Sequence, residues 1–174
     1  MEKARDVRLL ALDVDGVLSD GTLYYGNAEA ETKPFYTPDG LGLKLLQQAG
    51  ITVAIITGRQ SDIVERRAAE LGIEHVVQRR DDKLVALREL LDELGISLEH
   101  VAYMGDDLPD LAAIEAAGLG MTVADGDEYV AGHADWRSTR PGGRGAVREA
   151  CEMILEAKGK LAQSRAGFHA EVMP

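Results

Sequence analysis

The sequence predicts an α/β fold, a Rossmann-like doubly wound parallel sheet. Three observations point to it. Short runs that are apolar throughout recur along the chain and stop at Gly, Asp or Thr, as buried strands ending in turns do. Between them lie segments with apolar residues at helical spacing, most of them closed by Gly. Strands that alternate with helices and are apolar on both sides belong to a parallel sheet covered on both faces. The 174 residues, 45% of them hydrophobic, suffice for one core, so a single domain over 1–174 is expected.

Leu9 to Leu12 is the first strand, and it delivers Asp13, Asp15 and Gly16. If strand geometry holds as far as Asp15, both carboxylates project to one side. Two carboxylates at a strand end repel unless a cation or a shared proton relieves them, and Mg²⁺ with its oxygen ligands is the natural relief. A solvated Asp-Gly turn is the ordinary alternative. An EF-hand calcium loop is excluded, since its fifth and sixth positions would fall on Val17 and Leu18.

Segments 22–25 and 30–36 around Gly26-Asn27-Ala28-Glu29 read as a small β-hairpin insertion, with Pro34 marking an edge. Thr37-Pro38-Asp39-Gly40 starts a helix that presents Leu41, Leu45, Leu46 and Ala49. Ile51 to Ile56 is the second strand and ends in Thr57-Gly58-Arg59; Ser61 opens the next helix. His75 to Gln78 is the third strand, and a helix with Leu84, Leu87, Leu90, Leu91 and Leu94 follows from Asp81. Val101 to Met104 is the fourth strand, leading into Gly105-Asp106-Asp107 and a helix from Leu108 to Ala116. Leu119 to Val123 is the fifth strand, Ala134 to Trp136 a short sixth, and Gly142-Gly143-Arg144-Gly145 opens the last helix. The tail after Gly159 is small and polar and is expected to be loose unless a partner orders it.

Ligands of open parallel sheets bind beyond the carboxyl ends of the strands. Asp13 and Asp15, Thr57, Lys83, and Asp106 and Asp107 all fall at that edge, whereas scattered turn residues would mark the opposite edge as well. The net charge of −11 argues against a nucleic-acid partner, which calls for basic surface. An anionic substrate would then need local Lys, Arg or a metal. The single cysteine, Cys151, excludes an internal disulfide and fits a reducing compartment. No apolar run approaches the ~20 residues of a membrane span, and the charged start lacks a signal-peptide pattern, so a soluble, cytoplasmic protein is expected. His75, His100, His133 and His169 show no metal-ligand spacing.

Asp13-Val14-Asp15-Gly16, Thr57-Gly58, Lys83 and Gly105-Asp106-Asp107-Leu108-Pro109-Asp110 resemble, in order and spacing, the four motifs of the haloacid-dehalogenase-like phosphatases. Residues 35–40, Thr57-Gly58-Arg59, the stretch 142–149 and Gly159-Lys160-Leu161 are similar to the 3-deoxy-D-manno-octulosonate 8-phosphate (KDO 8-phosphate) phosphatases of that superfamily, and the resemblance covers nearly the whole chain. It implies that Asp13 is the nucleophile and Asp15 the acid and base. Mg²⁺ would be held by Asp13, Asp106 and the backbone carbonyl of Asp15. Thr57, Gly58 and Lys83 would hold the phosphoryl oxygens, with Asp107 and Asp110 supporting the metal loop. The intervals between motifs leave no room for a large cap. Family members built this way close their sites as tetramers, with hairpin and tail of neighbours walling the pocket. The resemblance therefore adds Tyr36, Thr37, Pro38, Asp39, Gly40, Lys44, Arg59 and Arg67 as candidate substrate contacts. Pro38 departs from the Arg that octulosonate phosphatases often carry, which keeps nonulosonate 9-phosphates open as substrates. A receiver-like phospho-signalling module is the non-enzymatic alternative, distinguished by a long-lived phosphoprotein.

Overall fold

The computed structural model describes residues 2–25 and 31–169. In chain order the elements are α1 (Glu2–Arg5), β1 (Leu9–Leu12), a wide helical turn Val14–Leu18, α2 (Thr37–Gln48), β2 (Thr52–Ile56), α3 (Asp62–Leu71), β3 (His75–Val77) and α4 (Lys83–Leu94). Next come β4 (Val101–Gly105), α5 (Leu111–Ala116), β5 (Leu119–Thr122), α6 (Glu128–Ala131), β6 (Trp136–Arg137), α7 (Ala146–Ala157) and α8 (Leu161–Ala166). The six strands form one sheet in the order β3-β2-β1-β4-β5-β6. Every pairing is parallel, and β1 lies between β2 and β4 with Leu12 opposite Ile55 and Met104.

Alternation along the strands sorts the core into two layers. Leu10 and Leu12 of β1, Val53 and Ile55 of β2, and Ala102 and Met104 of β4 pack with Leu43, Leu46, Val64, Ala68, Val147 and Ile154 of α2, α3 and α7. Leu9, Ala11, Ala54, Ile56, Val101 and Tyr103 face the other way, onto Leu87, Leu91, Ala113 and Ile114 of α4 and α5. The chain thus leaves β1 toward one layer and β4 toward the other. Where neighbouring parallel strands send their connections to opposite faces, a crevice opens at their carboxyl ends.

Two expectations change here. The segments 22–25 and 31–36, expected as hairpin arms, carry no strand, and the turn and residue 30 lie outside the described residues. A two-stranded ribbon alone buries too little to be stable, and Tyr24 and Tyr25 are largely exposed. The tail is not loose as far as it is described. Residues 161–166 form α8, and Arg165 pairs with Glu152 of α7 at 2.9 Å while Lys160 donates to the Ala49 carbonyl at 2.7 Å.

Candidate active site

Asp13 and Asp106 follow β1 and β4, the two strands that flank the crevice. The Asp13 N–H donates to the Met104 carbonyl at 3.0 Å, which continues the β1–β4 pairing one residue past the strand. Strand geometry does not reach Asp15, however. β1 ends at Leu12, and the chain then makes a wide turn closed by the Ser19 N–H on the Val14 carbonyl at 2.9 Å, within which Asp15 is extended (φ −75°, ψ 117°) and Gly16 takes φ +90°. A Cβ on Gly16 would stand 2.0 Å from Asp106 Oδ2, so only glycine lets this loop lie against the acid from β4.

One carboxylate oxygen from each of Asp13, Asp106 and Asp110 lies within 4.8 Å of the others. Asp13 is buried; its Oδ1 accepts the Val14 N–H at 2.7 Å, and its Oδ2 meets the Lys83 ammonium at 2.8 Å. Lys83, the first residue of α4, is buried and also donates to Asp110 Oδ1 at 2.7 Å. Tyr103 of β4 donates its hydroxyl to the same oxygen at 2.8 Å, and Asp110 Oδ2 accepts the Asp106 N–H at 3.2 Å. Asp110 therefore fixes Lys83 and the Asp106 loop at once. Asp107 is exposed and caps the Leu108 N–H at 2.7 Å.

The charge balance is uneven. Burial, then the charge of Asp110, pushes the Asp13 carboxyl up to about 6 despite Lys83. Burial and the charges of Asp110 and Asp13 push Asp106 up to about 7. Burial works against the Lys83 ammonium, but the Asp110 and Asp13 charges outweigh it and raise its pKa. Three carboxylates answered by one ammonium are short of positive charge, and their donors are hard oxygens. Mg²⁺ fits that set.

Asp15 stands at the side of this cluster. Its Oδ1 pairs with Lys33, and its Oδ2 lies 3.8 Å from Arg59 Nε. Lys33 was not among the candidates read from the sequence, because residues 31–36 show neither periodicity nor a motif that marks it. Thr57 follows β2 and is buried, with Arg59 N–H 3.4 Å from its hydroxyl. Gly58 lies where a Cβ would meet Asp81 Oδ1 at 2.5 Å.

The remaining sequence candidates do not join the cluster. Asp39 is buried, and its carboxylate accepts the backbone N–H groups of Gly145 and Arg148 at 3.3 and 2.8 Å, which caps α7. The structure thus gives Asp39 a capping role. Gly40 packs beneath Arg67, whose guanidinium lies 5.8 Å over the Phe35 ring and 3.3 Å from Glu70. Lys44 and Thr37 are exposed. Tyr36 and Pro38 line a cavity of about 350 Å³ with Arg140 and Arg148, beside the start of α7.

The haloacid dehalogenase-like hydrolase family matches residues 41–118, which hold Thr57, Lys83, Asp106 and Asp110. The chain is 48% identical to the 3-deoxy-D-manno-octulosonate 8-phosphate phosphatase KdsC of Escherichia coli (strain B / BL21-DE3), over 95% of this chain and 88% of the relative. The chain belongs to that family. A crystal structure of the Moraxella catarrhalis phosphatase of this name, holding magnesium, phosphate and KDO, superposes with a TM-score of 0.95 at 53% identity over 96% of both chains. The cobalt-bound Haemophilus influenzae phosphatase gives a TM-score of 0.89 at 42% identity, over 94% of this chain and 99% of that one. The haloacid dehalogenase-like family sets aside the receiver-like alternative.

Proposed function

We propose that this chain hydrolyses 3-deoxy-D-manno-octulosonate 8-phosphate to KDO and inorganic phosphate through a phosphorylated Asp13. The observation that carries the reading is the meeting of Asp13 and Asp106 from two strand ends, with Lys83 on Asp13, in a chain 48% identical to a phosphatase of that substrate. Asp13 attacks phosphorus, a role carboxylates take in phosphoryl transfer. Asp15 gives a proton to the leaving sugar oxygen and later takes one from water. Thr57, the Gly58 N–H and Lys83 hold the phosphoryl oxygens. Asp110 keeps Lys83 and Asp106 in place. Bound between Asp13, Asp106 and the Asp15 carbonyl, Mg²⁺ offsets the repulsion between nucleophile and phosphate.

In this reading Arg59 meets the sugar acid; its half-exposed side chain, 3.8 Å from Asp15, supports that role. Tyr36, Thr37, Pro38, Gly40, Lys44 and Arg67 contribute through assembly, as a homotetramer whose subunits wall one another's sites. Leu23, Tyr24 and Tyr25, with 42, 53 and 87% exposure, supply apolar surface for that contact. Among the described residues no helix is long and apolar enough to cross a membrane. The chain works in the cytoplasm in this reading, where its one cysteine stays reduced.

Phosphate release across a panel of sugar phosphates tests the substrate. KDO 8-phosphate should give the highest kcat/KM, above nonulosonate 9-phosphates and hexose phosphates. A preference for a nonulosonate 9-phosphate would reassign the substrate and leave the chemistry intact. Light scattering at micromolar concentration should give a tetramer; a monomer would remove the shared pockets.

A further inference from the structure

The Lys33 ammonium is held deep in the site, with 4% of its side chain exposed. Lysine is rarely buried so far, because its hydration is costly to give up without a partner. Two carboxylates receive it here: Asp15 through Oδ1, and Glu31 at 3.8 Å. The segment that carries it is fastened on both sides. Ser61 Oγ donates to Glu31 Oε2 at 2.6 Å, and Arg67 stacks on Phe35. By contrast Arg59, the other cation on Asp15, has a half-exposed side chain and stands 3.8 Å from Oδ2.

We propose that Lys33 is a positioning residue for Asp15. By occupying Oδ1 it leaves the acid proton on Oδ2. The proposal rests on the reading of Asp15 as general acid. A carboxylic acid carries one O–H, and an ammonium only donates, so the oxygen facing Lys33 is the acceptor. In the first half-reaction an Asp13 oxygen bonds to phosphorus and the bond from phosphorus to the leaving oxygen breaks. The proton on Asp15 Oδ2 passes to that oxygen and gives a neutral alcohol. In the second, water attacks phosphorus and one of its protons returns to Oδ2. The bond to Asp13 breaks, and inorganic phosphate leaves with both aspartates restored. A proton donor acts only within about 2.6–3.2 Å of its acceptor. A carboxyl free to turn over would often present the wrong oxygen.

The test is first-turnover phenol release from a series of substituted phenyl phosphates in Mg²⁺. These substrates lack the sugar carboxylate, so contacts to the sugar do not enter the comparison. Lys33→Met should slow phenyl phosphate about tenfold or more beyond its effect on 4-nitrophenyl phosphate, whose leaving group needs little protonation. Lys33→Arg should regain most of that difference. The comparison is a ratio within one preparation, so the folded fraction cancels. A uniform loss across the series, or a change confined to KM, would overturn the proposal. Asp15→Asn run alongside should show the same dependence more steeply. If it does and Lys33→Met does not, the role of Lys33 alone falls. If Asp15→Asn is itself flat, the acid assignment of Asp15 falls and the proposal falls with it.

Discussion

Asp13 and Asp110 are both buried acids of the site, yet replacing their common partner should cost stability where replacing Asp13 itself should not. Lys83→Met leaves the two carboxylates facing each other without their ammonium. Removing one partner of a buried ion pair costs about 3–5 kcal/mol, and each kcal/mol lowers Tm by about 2–4 °C in a chain of this size. Calorimetry of the metal-free protein checks this; an unchanged Tm would show that the pair adds nothing. Asp13→Asn instead removes a charge that burial and Asp110 already disfavour, as its carboxyl pushed up to about 6 shows. It should abolish turnover, by about three orders of magnitude or more, with no loss of metal-free Tm. Near-normal turnover would exclude Asp13 as nucleophile. Asp13 and Asp106 were legible in the sequence because each follows an apolar run. Lys33 was not, because nothing local distinguishes a lysine whose carboxylate partner lies 18 residues away.

At the level of elements, capping and loop geometry decide what the strand ends can present. Asp39 sits in the first turn of α2 and was read as a substrate contact. The groups it accepts hydrogen bonds from, Gly145 and Arg148, lie 106 and 109 residues further on, a distance at which sequence spacing carries no information. Asp39→Ala should therefore lower stability by about 0.5–2 kcal/mol, the usual cost of losing a helix cap, and leave KM near its original value. A rise in KM with unchanged Tm would restore the substrate role. Gly16→Ala tests the loop after β1. The added methyl group would have to displace Asp106 Oδ2 from 2.0 Å, at a backbone φ of +90° that alanine resists. Loss of Mg²⁺-dependent turnover is expected even where circular dichroism shows the fold retained. The strands and the helices α2, α3, α4, α5 and α7 were legible because an apolar run or a helical period repeats in each; α1 and α6, four residues apiece, are too short to show a period. The docking of α8 was not, since apart from Leu161 against the core it rests on Arg165 with Glu152 and on one lysine reaching a carbonyl, and one apolar residue makes no stripe.

For the molecule as a whole, a net charge of −11 and a site with three carboxylates make the cation part of the stability balance. Asp13 and Asp106, at about 6 and about 7 without metal, both lie above the ordinary carboxyl value of 3.8. The folded chain therefore binds more protons than the unfolded one between those values. What the two groups contribute to metal-free stability is present at low pH and lost as pH rises through 6 and 7. Mg²⁺ needs the same oxygens unprotonated, so it binds more tightly as the protons leave. Saturation at one hundred times Kd would add about 2.7 kcal/mol to the folded state. The gain in Tm from fixed Mg²⁺ over chelator should thus be small near pH 5 and grow through pH 6 to 8. Asp106→Asn should remove most of that gain and flatten the metal-free pH dependence. A gain independent of pH in the unaltered chain would mean that the ion binds elsewhere, because among the described residues this cluster is the one that offers it carboxylates pushed up to about 6 and about 7.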